Sequence, residues 1–434
     1  MEKKLYKDQI STLNLIKYYL HKLKKKGVKV EISPIADFVT WSNGMGLQKL
    51  RLLEFKKIIS VDFLKIFFNE LISIGKNYEY KVISSKIPNK KKVNIIYSYC
   101  KKEDFKKNYF YDLYFNERSD RIPGTYWFLI SLDNYIPKDK IKNVFILYNN
   151  KKNFNVFYLI KYIFQTITRK NSFFYLNNTT NTTQIFSSLF YRTFKEKKFN
   201  LYLPYENRPH QNAIIKIAKK ISKKNKTIGY YHRMPEPLQT EMFYKINELD
   251  TLLINSEIQK NVFTKFFSWP KTKLKVVESF RYKNIKLRRK IIYLPYEVKN
   301  KDFFLTKLQY INDNFVHLDK NFKISVHPLN AKSNEHILLK NKIERKIYKI
   351  KKNNLSNICI ILGEPGSVAS QCLHTYGKVI HITSSKYDVF SSYIWKNVKV
   401  QCIANGIYLY KKNSNKKLMN INKKKNNLRY FLSL

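Results

Sequence analysis

The chain has 434 residues, with 83 Lys and Arg against 31 Asp and Glu, a formal net charge of +52. Its 44% hydrophobic content can bury a sizeable core, which excludes a wholly disordered chain. The 10 Gly and 12 Pro exclude a collagenous or linker protein, and four scattered Cys (100, 359, 372, 402) form neither a disulfide framework nor a Cys-x-x-Cys metal site. The length predicts two or three domains and the cysteine usage a reducing compartment. The charge has three readings. A basic surface attracts nucleic acid or an anionic membrane. Alternatively, abundant Lys, Asn, Ile, Tyr and Phe reflect A/T-rich coding. Lys outnumbers Arg several-fold, whereas phosphate readers favour the Arg fork.

The first 26 residues predict an amphipathic helix interrupted by Lys, stopped at Gly27, without the apolar stretch of a signal peptide. A strand is expected at 28–32 and helical spacing over 47–75. Strands follow at 93–99, 127–132 and 143–147, then a helix at 157–168. That helix is the most apolar run, too short to span a bilayer and broken by Lys161. Strands at 173–176 and 201–203 flank a helix at 183–196. A helix at 211–220 leads to strands at 227–231 and 251–254, and a helix opens at Ser256. After a polar hinge at 282–290 a second series begins. Strands are expected at 291–294, 323–326, 358–362 and 378–382, with helices at 302–314 and 367–375, and 398–403 closes the sheet. The alternation predicts an α/β protein of two mainly parallel sheets facing each other across a cleft. The tail, 411–434, is Lys- and Asn-rich with an apolar end, either mobile or returning as a helix.

Five strand ends carry candidate chemistry. The first delivers Glu206 just past Pro204, where open α/β sheets bind ligands. Such a carboxylate serves as general base or sugar anchor, or else satisfies a helix N-terminus. The second delivers His232 and Arg233, with Pro235 and Pro237 keeping the next residues out of a helix. Glu206 and His232 are 26 residues apart across one helix, so adjacent parallel strands bring both to one sheet edge. The third ends in Phe280, Arg281 and Tyr282, with Arg281 set to bind phosphate or to pair with a carboxylate. The fourth ends in His327 and Pro328, and that His can donate to a phosphate oxygen. The fifth enters a turn at Gly363, Glu364 and Gly366, after which Ser367 is expected to cap a helix and offer its N–H groups to phosphate. It has neither a Walker nor a GxGxxG pattern.

A His-Pro strand end followed by a Gly/Ser turn resembles the GT-B glycosyltransferases, closest to bacterial sialyltransferase-like and capsule or lipopolysaccharide enzymes that use CMP-activated sugars. The matching residues are His327 with Pro328, and Ser367 with Ser370, the latter pair split by Val-Ala. The stretches Tyr205-Glu206-Asn207, 228–232, Asn255-Ser256 and 279–282 are similar to surface-carbohydrate biosynthesis proteins. The likeness covers roughly residues 200–385. It implies a GT-B-like α/β fold of two Rossmann-like domains: an acceptor-side domain at 1–280, a nucleotide-sugar domain at 281–410, and the tail. It implies an inverting, metal-independent transfer from a nucleotide-sugar, with a CMP-sialic-acid-like donor favoured, to a surface glycan or lipid-linked acceptor. The nucleotide-sugar is a co-substrate, and no cofactor or metal site is expected. Glu206 is the first candidate base, His232 the second and Asp120 the third, with Trp127 a sugar-stacking candidate. Arg281, His327, Pro328, Gly363, Glu364, Gly366, Ser367 and Ser370 are assigned to the donor. The expected location is cytoplasmic, peripheral at the anionic inner membrane face. The competing classes are a basic nucleic-acid-binding protein, for which no motif is present, and a non-catalytic carbohydrate-assembly protein.

Overall fold

The computed structural model describes residues 2–29, 61–76, 79–83, 92–150, 153–168, 177–238, 240–243, 246–282, 290–296, 298, 300–316, 318, 322–327, 330–347, 358–385, 388–413, 420, 428 and 432. Two mostly parallel sheets dominate it, as the alternation predicts. The first has eight strands: β1 (Tyr80–Ile83), β2 (Val93–Cys100), β5 (Thr125–Ser131), β6 (Val144–Asn149), β7 (Phe199–Pro204), β8 (Thr227–Tyr230), β9 (Thr251–Ile254) and β10 (Leu274–Val276). A short hairpin, β3 (Tyr111–Asp112) and β4 (Glu117–Arg118), interrupts the β2–β5 connection. The spatial order is β1-β6-β5-β2-β7-β8-β9-β10, all parallel except the edge strand β1. Leaving out β1, the chain order across the sheet is 3-2-1-4-5-6-7, the doubly wound order whose direction reverses between β2 and β7.

The second sheet has the order β12-β11-β13-β14-β16-β15. Here β11 (Ile291–Tyr293), β12 (Lys323–Ser325), β13 (Cys359–Leu362) and β14 (Lys378–Ile382) are parallel. An antiparallel hairpin, β15 (Val398–Ala404) and β16 (Ile407–Lys412), closes the edge. Its reversal point falls between β11 and β13.

Nine described helices flank the sheets: α1 (Glu2–Lys25), α2 (Val61–Lys76), α3 (Val156–Ile167), α4 (Asn178–Phe194), α5 (Pro209–Ile221), α6 (Glu257–Phe266), α7 (Lys301–Asn314), α8 (Asn334–Ile347) and α9 (Gly366–Tyr376). Side chains alternate across a strand. In β2, Ile95 and Tyr97 join the core beneath α4 and α5, while Ile96 and Cys100 join a second cluster on the opposite face. That second face is covered by Phe110 and Phe115 of the β2–β5 connection and by Leu428 of the tail.

The sheets are tied together. The first cluster is continuous from β2 and β7 through Tyr231, Leu238 and Met242 to Val389, Phe390 and Trp395 beside the second sheet. Helix α1 reaches the second sheet's side: Gln9 Nε2 donates to the Val389 carbonyl at 2.7 Å, and Tyr6 stacks on Tyr393. The tail returns to the first sheet, where the Asn420 carbonyl accepts from Ser279 N at 2.9 Å and its N–H donates to Asn255 O at 2.8 Å.

Residues 28–29 are not strand; the rest of that expected strand, the first part of the 47–75 helix, and the strand at 173–176 lie outside the described residues. The structure adds β1, β10, β16 and α8, which the sequence pattern did not separate from loops. The cap is also corrected. Helix α9 begins at Gly366 with Pro365 as its N-cap, so Ser367 sits inside the first turn.

Candidate functional site at the strand ends

Strand β7 stops at Pro204 opposite Tyr230, and both chains run two residues further to Glu206 and His232. In-register parallel pairing therefore sets these side chains next to each other. His232 Nε2 lies 3.1 Å from Glu206 Oε1. Arg208 Nε is 3.5 Å from Oε2, and Arg233 Nε is 3.9 Å from Oε1. The pair flanks the point where the first sheet reverses direction, the crevice that open α/β sheets use for ligands.

The strand end is rigidly held. Gln211 accepts from the backbone N–H groups of Glu206 (2.9 Å) and Arg208 (3.1 Å), and its amide donates to Pro204 O (2.6 Å) and Tyr99 OH (3.0 Å). One side chain thus fixes the turn and joins it to the end of β2. Buried Tyr205 donates to Asn207 Oδ1 at 2.7 Å, and Asn207 adopts φ 60°. Tyr205 fits only because β8 carries Gly229: a Cβ there would stand 2.9 Å from Tyr205 Cβ. His210, at the start of α5, lies 2.8 Å from Tyr97 OH through Nδ1 and 3.3 Å from Tyr99 OH through Nε2. Burial, then Arg208, push its pKa down to about 3, so it is a neutral structural ring.

Electrostatics separate the two partners. Burial raises the Glu206 pKa, but the His232 hydrogen bond and the charges of His232, Arg233 and Arg208 outweigh it and hold the carboxyl well below 4.5. Burial dominates His232 and lowers it below 6.5, with Arg281 and Arg233 adding repulsion and Glu206 opposing. His232 is thus neutral at pH 7, and its Nε2–H donates to a Glu206 carboxylate held ionised by that hydrogen bond first and by the two arginines beside it. Its Nδ1 is buried without a hydrogen-bond partner among the described residues. The Glu206 side chain is 22% exposed and that of His232 4%, so the carboxylate is the member a ligand meets.

Arg281, just past β10, is exposed. Its guanidinium lies 5.5 Å from the Tyr114 ring centre and 5.4 Å from that of Tyr282. Tyr114 packs edge-on against His232 at 4.6 Å. No carboxylate pairs with Arg281 among the described residues, which leaves it open to an anion.

In the second sheet, His327 follows β12 and is exposed, with its ring against Tyr296 at 5.2 Å. Burial, then the charge of Lys101, lower its pKa. Pro328 lies outside the described residues. Gly363 (φ 75°) and Gly366 (φ 46°) shape the turn around Glu364; a Cβ on Gly363 would meet Pro295 Cβ at 2.6 Å.

The Ser pair is placed differently from its expected donor role. Ser370 is fully buried and donates to Pro235 O, holding the loop after β8. Ser367 donates to Glu236 Oε1 at 3.3 Å, and Glu236 accepts both bonds from Arg233, at 2.9 and 2.7 Å. A line of polar contacts therefore runs from Glu206 through Arg233 and Glu236 to Ser367, from one sheet to the other. Asp120 stands apart. It is exposed in an ion pair with Arg118 at 2.6 Å, outside the hydrogen-bonded set around Glu206 and His232. Trp127 is fully buried in β5 and cannot stack on a sugar. Sequence reasoning missed Arg208, Tyr99, Tyr114, Tyr296 and Glu236. For Arg208 a signal existed, since it lies two residues past Glu206 on the same strand end.

Among the described residues no three His, Cys, Asp or Glu side chains come together as metal ligands. No family model matches the chain, and no curated protein matches it in sequence. Two solved structures are similar in chain path. One is the apo structure of OtsA, at 10% identity and TM-score 0.33, covering 64% of this chain and 81% of that one. The other is an alpha,alpha-trehalose-phosphate synthase (UDP-forming) from Burkholderia vietnamiensis, at 7% identity and TM-score 0.30, covering 62% and 78%.

Proposed function

We propose that the protein is a glycosyltransferase that moves a sugar from a nucleotide-sugar to an acceptor hydroxyl at the edge of the first sheet. The observation that carries this is the Glu206–His232 pair, held by Arg208 and Arg233 at the end of β7, beside the sheet's reversal point. The acceptor hydroxyl meets the partly exposed Glu206 carboxylate, which His232 orients as a positioning residue. Glu206 is a weak base, but the hydroxyl becomes strongly acidic as its oxygen bonds to the anomeric carbon. Proton transfer late in that step needs only a well-placed acceptor. The nucleotide leaves with negative charge, which Arg281 and His327 stabilise. Tyr296, at the reversal point of the second sheet, is placed to stack on the nucleotide base. The transfer we propose is inverting, by direct in-line attack of the acceptor oxygen on the anomeric carbon as the nucleotide leaves. With Ser370 buried and Ser367 bonded to Glu236, the donor side rests on His327, Arg281 and Tyr296.

The acceptor class we propose is a surface glycan or its lipid-linked precursor, and the first donor to test is CMP-sialic acid. Transfer and donor hydrolysis assays across CMP-, UDP-, GDP- and dTDP-sugars should find one donor class consumed. That turnover should fall by about 10²–10⁴ in Glu206→Gln. Absence of turnover with every donor class, or full activity in Glu206→Gln, would sink the proposal.

A further inference from the structure

Helix α3 is amphipathic the wrong way round for a helix facing water. The side turned to the protein carries Tyr158, Tyr162 and Thr166, with Tyr158 OH donating to Asn181 Oδ1 at 2.6 Å and Tyr162 OH to Asn177 O at 3.4 Å. The outer side carries Phe157, Ile160, Phe164 and Ile167, spaced at helical turns; Phe157 is 82% exposed and Phe164 69%. Phe68 and Ile72 of α2, which packs beside α3, are exposed as well. Contiguous apolar surface of this kind marks an interaction site.

The charge around it selects the partner. Residues 140–195 contain nine Lys and Arg and no Asp or Glu. A groove of about 580 Å³ between α3 and α4 is lined by Lys161, Arg192, Tyr158, Tyr162 and Gln184. Of the described α2 side chains, the one acid, Glu70, is turned inward and accepts from Asn178 N at 2.9 Å. Two copies of a +52 chain repel one another at such a face, whereas anionic lipid is attracted to it. At 12 residues α3 is too short to cross a bilayer, and no described helix is long and apolar enough to do so.

We propose that α3 lies in the plane of an anionic bilayer, with Phe157, Ile160, Phe164 and Ile167 inserted among the acyl chains and Lys161 and Arg192 against the headgroup phosphates. This stands on different residues from the transfer reaction and needs no activity to be tested. The full chain is co-sedimented with phosphatidylcholine vesicles with and without phosphatidylglycerol. The wild type is expected to pellet only with phosphatidylglycerol present. Phe157→Ser/Phe164→Ser should weaken binding by roughly tenfold or more, and Lys161→Glu/Arg192→Glu should abolish it. The altered side chains are exposed, so unchanged thermal melting confirms that each variant is folded. No vesicle binding by the wild type, or binding unaltered in the Phe pair, overturns the proposal. So does a wild-type dimer in sedimentation velocity that the Phe pair converts to monomer without changing vesicle binding, because the face then belongs to a second copy.

Discussion

Glu206 and His232 share one hydrogen bond but not one role, because burial acts oppositely on an acid and a base. It raises Glu206, where the His232 hydrogen bond and the two arginines outweigh it, and it lowers His232. Both protonation states of His232 keep Nε2–H on Glu206, and Glu206 ionises well below 4.5. Turnover should therefore stay flat between about pH 5 and pH 7. If His232 were the base, activity would be present above its lowered pKa and lost as the pH fell through it, below 6.5. A pH–rate profile decides between the two, and an acid limb in that range would transfer the role to His232. His232→Gln, whose amide can still donate, should lower kcat less than Glu206→Gln does. The pairing of Glu206 with His232 was legible in the sequence from the 26-residue spacing across one helix. Their electrostatics were not: Arg208 and Arg233 lie next to the pair in sequence, but only the folded strand ends bring both guanidiniums to the Glu206 carboxylate. Asp120 looked equivalent as a sequence letter, and only its Arg118 partner sets it apart.

At the scale of elements, the strand ends are held by close packing. Gly229→Ala places a methyl group 2.9 Å from Tyr205 Cβ and 3.2 Å from Leu252 Cδ1, where backbone and buried ring must give way. We expect a loss of about 1–3 kcal/mol in urea unfolding, together with lower turnover, since Tyr205 braces the turn that carries Glu206. Unchanged stability would show that the strand end relaxes freely. The parallel strands were readable as short apolar runs buried on both faces. β1 was not, because it is a half-exposed edge strand with a mixed pattern. The β15–β16 hairpin carried a signal, Asn405-Gly406 with Gly406 at φ 77°, but it sits against the Lys-rich tail that masked the second strand. The Ser367 cap failed for a local reason: the helix starts one residue earlier, at a glycine, and the hydroxyl turns to Glu236.

At the scale of the molecule, the expectation of two mainly parallel sheets holds, but one hydrophobic cluster runs through both. Helix α1 and the returning tail add two further ties, made by residues far apart in sequence, which is why no pattern revealed them. Large apolar interfaces suppress independent domain behaviour. Calorimetry should therefore show both sheets unfolding in one transition, with calorimetric and van't Hoff enthalpies in agreement. Two resolved transitions would show that the cluster does not couple them. The charge also reads differently at this scale. In the stretch 140–195, which carries α3, basic residues stand without a single acid, and Lys161 and Arg192 line one groove.

The central claim, a nucleotide-sugar site between the two sheets' strand ends, is tested most directly by nucleotide-dependent melting of the wild type and of His327→Ala and Arg281→Ala. CMP, UDP, GDP and dTDP are each added in excess. A ligand that binds only the folded chain stabilises it by about 2.7 kcal/mol at a hundred times its Kd. The expected result is that one nucleotide raises the melting temperature of the wild type and that the rise is reduced in both variants. No shift with any of the four, or a shift left intact in both variants, would contradict the site.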